Sequence, residues 1–173
     1  VAKFWLCKRV PVQVGEALEC LGGNGYVEES IMPRLYREAP LYSIWEGSGN
    51  VMCLDILRAI TKEPATLDVF TAELRLAKGA DRRFDDFLAR LDLALARQAK
   101  SGENGAGGAE GQARVLAEKM ALALEASLVL RHGSPAVAEA FCAARLTAES
   151  GRIFGTLSAG TDVKAVLEET GGF

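Results

Sequence analysis

A carboxylate, Glu46, stands between Trp45 and Gly47 in the run Ile44-Trp45-Glu46-Gly47-Ser48-Gly49-Asn50, and a double glycine, Gly22-Gly23, precedes it. A glutamate beside an indole at a loop-to-helix junction can act as a general base, because partial burial raises its pKa towards the working range. Ser48 is placed to cap a helix whose free N–H groups and partial positive charge suit a phosphate. The double glycine lets a flat or charged ligand approach the backbone closely. Taken alone, these residues leave plainer readings open. A glutamate before a helix is commonly solvated or capping, and glycines after a helix are commonly its C-cap.

The elements that must position them are helices. Ala2–Leu21 carries apolar residues at helical spacing, with Pro11 expected to kink or split it near Val10. Residues 22–25, GGNG, should end that helix, and Pro33–Glu38 should form one short turn with proline at its first position. Pro40 through Gly47 reads as loop, and Ser48 opens a helix running to about Thr61. Lys62-Glu63-Pro64 marks a boundary that divides the chain into 1–61 and 62–173. Four further helices are expected at about 65–78, 81–100, 110–132 and 135–157, with Gly79 separating the first two and a short helix within 161–169. Residues 101–108, SGENGAGG, read as a flexible connector. No strand-period segment competes, so the expected fold class is all-α.

Composition sets the outer bounds. Nearly half of the 173 residues are apolar and a quarter charged, which suits a chain able to bury a core, and the net charge of −3 gives no sign of a molecule built around phosphate attraction. No run approaches the ~20 apolar residues of a membrane span. The four cysteines, Cys7, Cys20, Cys53 and Cys142, form no CxxC pair, and His132 is the single histidine. Core thiols in a reducing cytosol are therefore expected rather than a metal site. The start, already helical and without methionine, suggests a piece of something longer.

Glu19-x-Leu21-Gly22-Gly23-Asn24-Gly25-Tyr26, then Pro33-Arg34-Leu35-Tyr36-Arg37-Glu38, then Trp45-Glu46-Gly47-Ser48-Gly49-Asn50 resemble, in order, three segments of the last helical domain of acyl-CoA dehydrogenases. The tryptophan variant, followed by residues 52–58, MCLDILR, and further helices, is similar to the AidB-like branch. That resemblance implies FAD as cofactor and an acyl-CoA thioester as substrate. It places Glu46 at the base that removes the α-proton while the β-hydride leaves to the flavin. It puts Gly47, Ser48 and Asn50 at the flavin and nucleotide, Gly22 and Gly23 against the FAD of a neighbouring subunit, and Arg58 and Trp45 beside the substrate. Arg58 has an equal structural reading, pairing with Asp55 or with helix-end carbonyls. Arg37 and Glu38 read as a structural ion pair, and Phe4, Tyr26, Tyr36 and Trp45 as core aromatics. One departure stands out: Glu19 occupies the position of a glutamine and cannot donate as an amide does. The family's N-terminal helical and middle β-domains are absent from this sequence, so the parent protein is expected to be the enzyme and this polypeptide alone to be inactive.

The AidB-like branch is associated with double-stranded DNA through its C-terminal helices. Residues 61–173 hold 14 Lys and Arg against 16 Asp and Glu. Arg82, Arg83, Arg90 and Arg97 nonetheless share one side of a helix, within about 100° of one another, backed by Phe84, Phe87, Leu88, Leu91 and Leu95. A solvated face with Asp86 inside the stripe is the plainer account. The alanine-rich helices at 110–132 and 135–157 also suit assembly, and the resemblance implies a homotetramer.

Overall fold

The computed structural model describes residues 1–103, 110–147, 151 and 153–171, with the backbone alone at 101–103. Among the described residues there is no strand. The helices are α1 (Ala2–Cys20), α2 (Gly23–Tyr26), α3 (Met32–Glu38), a 3-10 helix (Ala39–Ser43), α4 (Gly49–Lys62), α5 (Pro64–Arg75), α6 (Arg82–Glu103), α7 (Ala113–His132), α8 (Pro135–Arg145) and α9 (Val163–Glu169).

Pro11 does not split the first helix. It lies inside a continuous α1, along which α3 and the 3-10 helix pack, and that packing offsets the lost N–H. The loop expected from Pro40 begins as this 3-10 turn. The helix expected over 135–157 ends at Arg145, where Leu146 takes the C-cap position and buries its side chain. Helix α8 starts as the Ser134-Pro135 pair predicts, with the Ser134 hydroxyl accepting from the Val137 N–H. Of the connector, residues 101–103 belong to α6 and 104–108 lie outside the described residues.

The main core sits between α5, α6, α7 and α8. Leu74, Phe84, Leu91, Leu116, Met120 and Cys142 meet there, each almost or wholly excluded from water. A second cluster joins Phe4 of α1 and Met52 and Cys53 of α4 to Ala113 and Ala117 of α7. Helix α7 therefore contributes to both. Its small residues, Ala113 and Ala117, let α4 approach closely, while the bulkier Leu116 and Met120 fill the space towards α6. The break between α4 and α5 is the one residue Glu63, held by the Glu63 N–H donating to the Ala59 carbonyl.

The first third of the chain buries much less. Tyr26, Ile31, Tyr36, Tyr42, Ile44 and Trp45 are all exposed, so of the aromatics expected in the core only Phe4 is there. Arg37 pairs with Glu28, and Glu38 with Arg34, in place of the expected Arg37–Glu38 pair. No helix is long and apolar enough to cross a membrane among the described residues.

All four cysteines are free; Cys53 and Cys142 are buried, Cys7 is half-buried and Cys20 is exposed. Burial pushes the Cys142 thiol up to about 11. At about pH 8, a thiol reagent should modify Cys20 first and Cys7 more slowly, leaving Cys53 and Cys142 untouched until denaturant is added. Mass spectrometry of timed samples reads the order. Early modification of Cys142 would contradict the packing of α8.

Candidate active site

The segment between the 3-10 helix and α4 carries the candidate base, and its backbone is unusual. Glu46 has φ 55°, the one non-glycine residue with positive φ among the described residues. For a residue with a Cβ this left-handed conformation costs roughly 1–2 kcal/mol and survives where the surroundings over-determine it. Two neighbours do so here. On one side, the Lys3 ammonium of α1 donates to the Trp45 carbonyl. On the other, Gly47 takes φ 108°, where an added Cβ would also stand 3.2 Å from the Val51 side chain. The turn then delivers the chain into α4 with Ser48 at the N-cap position. Its carbonyl accepts from the Met52 N–H at 2.9 Å, although its hydroxyl makes no cap bond.

Because the turn is left-handed at 46, Glu46→Gly should be more stable than Glu46→Ala by about 1 kcal/mol, despite the greater flexibility of glycine in the unfolded chain. Urea unfolding of the two variants tests this. The reverse order would show that the backbone at 46 is not left-handed.

Among the described residues the burial expected around the base is not found: Glu46 is exposed, and Trp45 beside it is 62% exposed. Two large grooves lie elsewhere. One, of about 1030 Å³, runs between α1, the segment after α2, and α3; Pro11, Val12, Tyr26 and Tyr36 form its walls, and Glu16, Glu19, Glu28 and Glu29 line it. The other, of about 900 Å³, lies between the end of α4, the start of α5 and the end of α6. Arg58 lines this second groove with Leu54, Leu57 and Leu95, and its guanidinium donates to Asp55. Neither Glu46 nor Trp45 borders it, so Arg58 and Glu46 share no cavity here. The helix-surface pairing, the structural reading of Arg58, is the contact observed.

The remaining candidates gather at two corners. Gly22 (φ 58°) turns the chain out of α1, and Gly23 opens α2; nothing lies within 4 Å of where a Cβ would stand on either, so the corner is open to a ligand. At the start of α4, the Asn50 amide oxygen accepts from Arg114 of α7 at 3.1 Å. The Lys8 ammonium and the Arg114 guanidinium lie 3.1 and 3.8 Å from the point where a Cβ would stand on Gly49. Lys3, Lys8 and Arg114 were not legible as site residues. Each reaches the segment across a sequence gap of at least 41 positions, and no local pattern encodes that approach.

The arginine stripe of α6 is largely committed within the fold. Arg83 bonds both Asp81 and Glu139 of α8, at 2.6 Å each, and Arg90 donates to the Leu146 carbonyl at 3.0 Å while stacking on Phe87. Arg82 is exposed and lies 4.0 Å from Asp86, and Arg97 borders a small cavity with Gln98 and Lys119. Two of the four thus staple α6 to α8 and to the turn after it. Among the described residues no group of three or more His, Cys, Asp or Glu side chains is placed to hold a metal ion.

Residues 1–61 match the family model described as acyl-CoA dehydrogenase, C-terminal domain. The chain belongs to the acyl-CoA dehydrogenase superfamily. It is 41% identical over 150 residues to AidB of Escherichia coli (strain K12), an alignment covering 87% of this chain and 26% of that protein. It is 34% identical over 95 residues to acyl-CoA dehydrogenase family member 11 of Caenorhabditis elegans, covering 55% and 15%. Against the mitochondrial isovaleryl-CoA dehydrogenase of Arabidopsis thaliana it is 44% identical over 48 residues, covering 28% and 12%. The chain therefore spans about a quarter of the AidB protein's length and less of the other two. The AidB alignment covers most of the chain, so it extends well beyond the residues matched by the domain model.

The chemistry of this superfamily implies FAD, and the residues at the start of α4 fit its anionic part. Lys8, Arg114 and the first turn of a 14-residue helix bring positive charge to one place. The Gly22 corner fits a flat group by its openness, whereas the carboxylates lining the adjacent groove suit a neutral or cationic one better than a phosphate.

Proposed function

We propose that this chain supplies the base-bearing wall of a flavin-dependent acyl-CoA dehydrogenase, with Glu46 taking the α-proton of an acyl-CoA thioester. The carrying observation is the strained backbone at Glu46, inside the family's own segment, held by Lys3 and Gly47. The chemistry that FAD would supply when bound is that of an acceptor for the hydride leaving the β-carbon. Everything else asked of this chain is positioning. Gly47 lets the turn close, Lys3 fixes the carbonyl preceding the base, and Ser48, Gly49 and Asn50 present the opening turn of α4 to the cofactor's anionic part. Gly22 and Gly23 leave room for a second flat group, and Trp45 remains the candidate for substrate contact beside the base, whereas Arg58 pairs with Asp55 in a separate groove.

A carboxylate in water is a weak base, so the element that covers Trp45 and Glu46 must also exclude solvent. The exposed apolar residues of the first third support such a cover, either from the remainder of a protein of AidB's length or from further copies in a homo-oligomer. The DNA-associated reading gains no support from α6, because Arg83 and Arg90 are held by partners within the fold.

The test is spectroscopic. The full-length protein carrying this chain, purified with its flavin and mixed anaerobically with straight and branched short acyl-CoAs, should lose its flavin absorbance. An intact flavin spectrum with every acyl-CoA would overturn the assignment.

A further inference from the structure

The alanine face of α7 settles against α4, and this brings the first turns of the two helices together. Ala113 and Ala117 are buried against Met52 and Cys53, so Arg114, next along α7, lies beside the opening turn of α4. There its guanidinium donates to the Asn50 amide oxygen at 3.1 Å and sits 5.8 Å from the Phe4 ring centroid. Gly49 lies in the same crowded place: a Cβ at that position would fall 2.5 Å from the end of the Lys8 side chain, which would have to swing aside to admit a larger residue.

The chemistry of the pair has a direction. A guanidinium carries only donors, so an amide bonded to it must present its oxygen. The Asn50 amide nitrogen, with both of its hydrogens, is thereby turned away from Arg114. Without Arg114 the amide could rotate and offer either end; with it, the side of Asn50 that faces away from Arg114 presents the two N–H donors.

We propose that Arg114, which belongs to the helices beyond the matched domain, is a positioning residue for the cofactor side of the site: it orients the Asn50 amide so that an acceptor group, a phosphate or carbonyl oxygen or a ring nitrogen, is recognised there. The C-terminal helices are then part of the site. This rests on the proposed flavin reading for the identity of the acceptor, but not for the orientation itself.

Two measurements separate those parts. In the 15N-labelled chain, the side-chain amide signals of Asn50, assigned by their loss in Asn50→Ala, should move in Arg114→Ala and recover towards wild type in Arg114→Lys, which can still donate. Preserved protection of Cys53 and Cys142 shows that the fold is kept. In the full-length holoprotein, Arg114→Ala and Asn50→Ala should each weaken FAD binding by about tenfold, and the double variant should be no worse than either single one. Unmoved Asn50 signals in Arg114→Ala, or fully additive losses in the double variant, would overturn the proposal. A wild-type full-length protein that binds no FAD, with the Asn50 signals still dependent on Arg114, would reject the flavin reading and leave the orientation standing.

Discussion

Phe84→Ala should lower the unfolding free energy of this chain by about 3–5 kcal/mol, the range for emptying a fully buried aromatic site. Phe84 is 0% exposed and lies in the first turn of α6, packed in the cluster with Leu74, Leu91, Leu116 and Cys142. Little can collapse into the space it leaves. The turn before it is fixed by Asp81, which accepts from the backbone N–H groups of Arg83 and Phe84, and Arg83 is tied to Glu139. For a domain whose whole stability is about 5–15 kcal/mol, this is a large share. Urea unfolding followed by circular dichroism gives the number, with Leu93→Ala, at an exposed position on the same helix, expected to stay within about 0.5 kcal/mol. A loss below about 1 kcal/mol for Phe84→Ala would mean that the α6–α7–α8 core is not packed as described. The same variant tests whether α7 couples the two clusters. If it does, Cys53, which packs against Ala113 and Ala117 rather than against Phe84, should also become easier to modify.

What could be read in the sequence divides by distance along the chain. Helix α6 was legible because its pattern is local: Phe84, Phe87, Leu88 and Leu91 recur at helical spacing and all four are buried. The glycine corner and the cap at Ser134 were legible for the same reason. The early end of α8 was not, because residues 146–157 keep enough apolar side chains to continue the pattern, while the helix stops with Leu146 at its C-cap. The candidate base was legible as a residue but not as an environment. Glu46 is where the motif places it, on a backbone φ that no pattern of residue types announces, and without the burial that a neighbouring indole suggested. Arg83 and Arg90 show the complementary failure. A helical wheel detects a basic stripe, but not that Glu139 and the Leu146 carbonyl, each 56 positions away, already occupy two of its members.

Glu46→Gln should reduce the rate of flavin reduction by an acyl-CoA in the full-length protein by about 10²–10⁴-fold, the usual contribution of a positioned general base. Glutamine suits the test because it keeps the length and planar end of the side chain and removes only the capacity to hold the α-proton. It also has to adopt the same left-handed backbone, so strain at 46 is matched between the two proteins and any difference in rate belongs to the proton transfer. Glu46→Asp separates position from basicity. It keeps a carboxylate but draws it back by one methylene, and a displacement of about 1 Å costs roughly 10²-fold. The expected order is therefore wild type, then Asp, then Gln, read as the rate of loss of the flavin band in a stopped-flow instrument at saturating acyl-CoA. Equal rates in wild type and Glu46→Gln would reject Glu46 as the base. Equal rates in Glu46→Asp and wild type would mean that the turn is not rigid, and that Lys3 and Gly47 hold nothing in place on the timescale of the reaction.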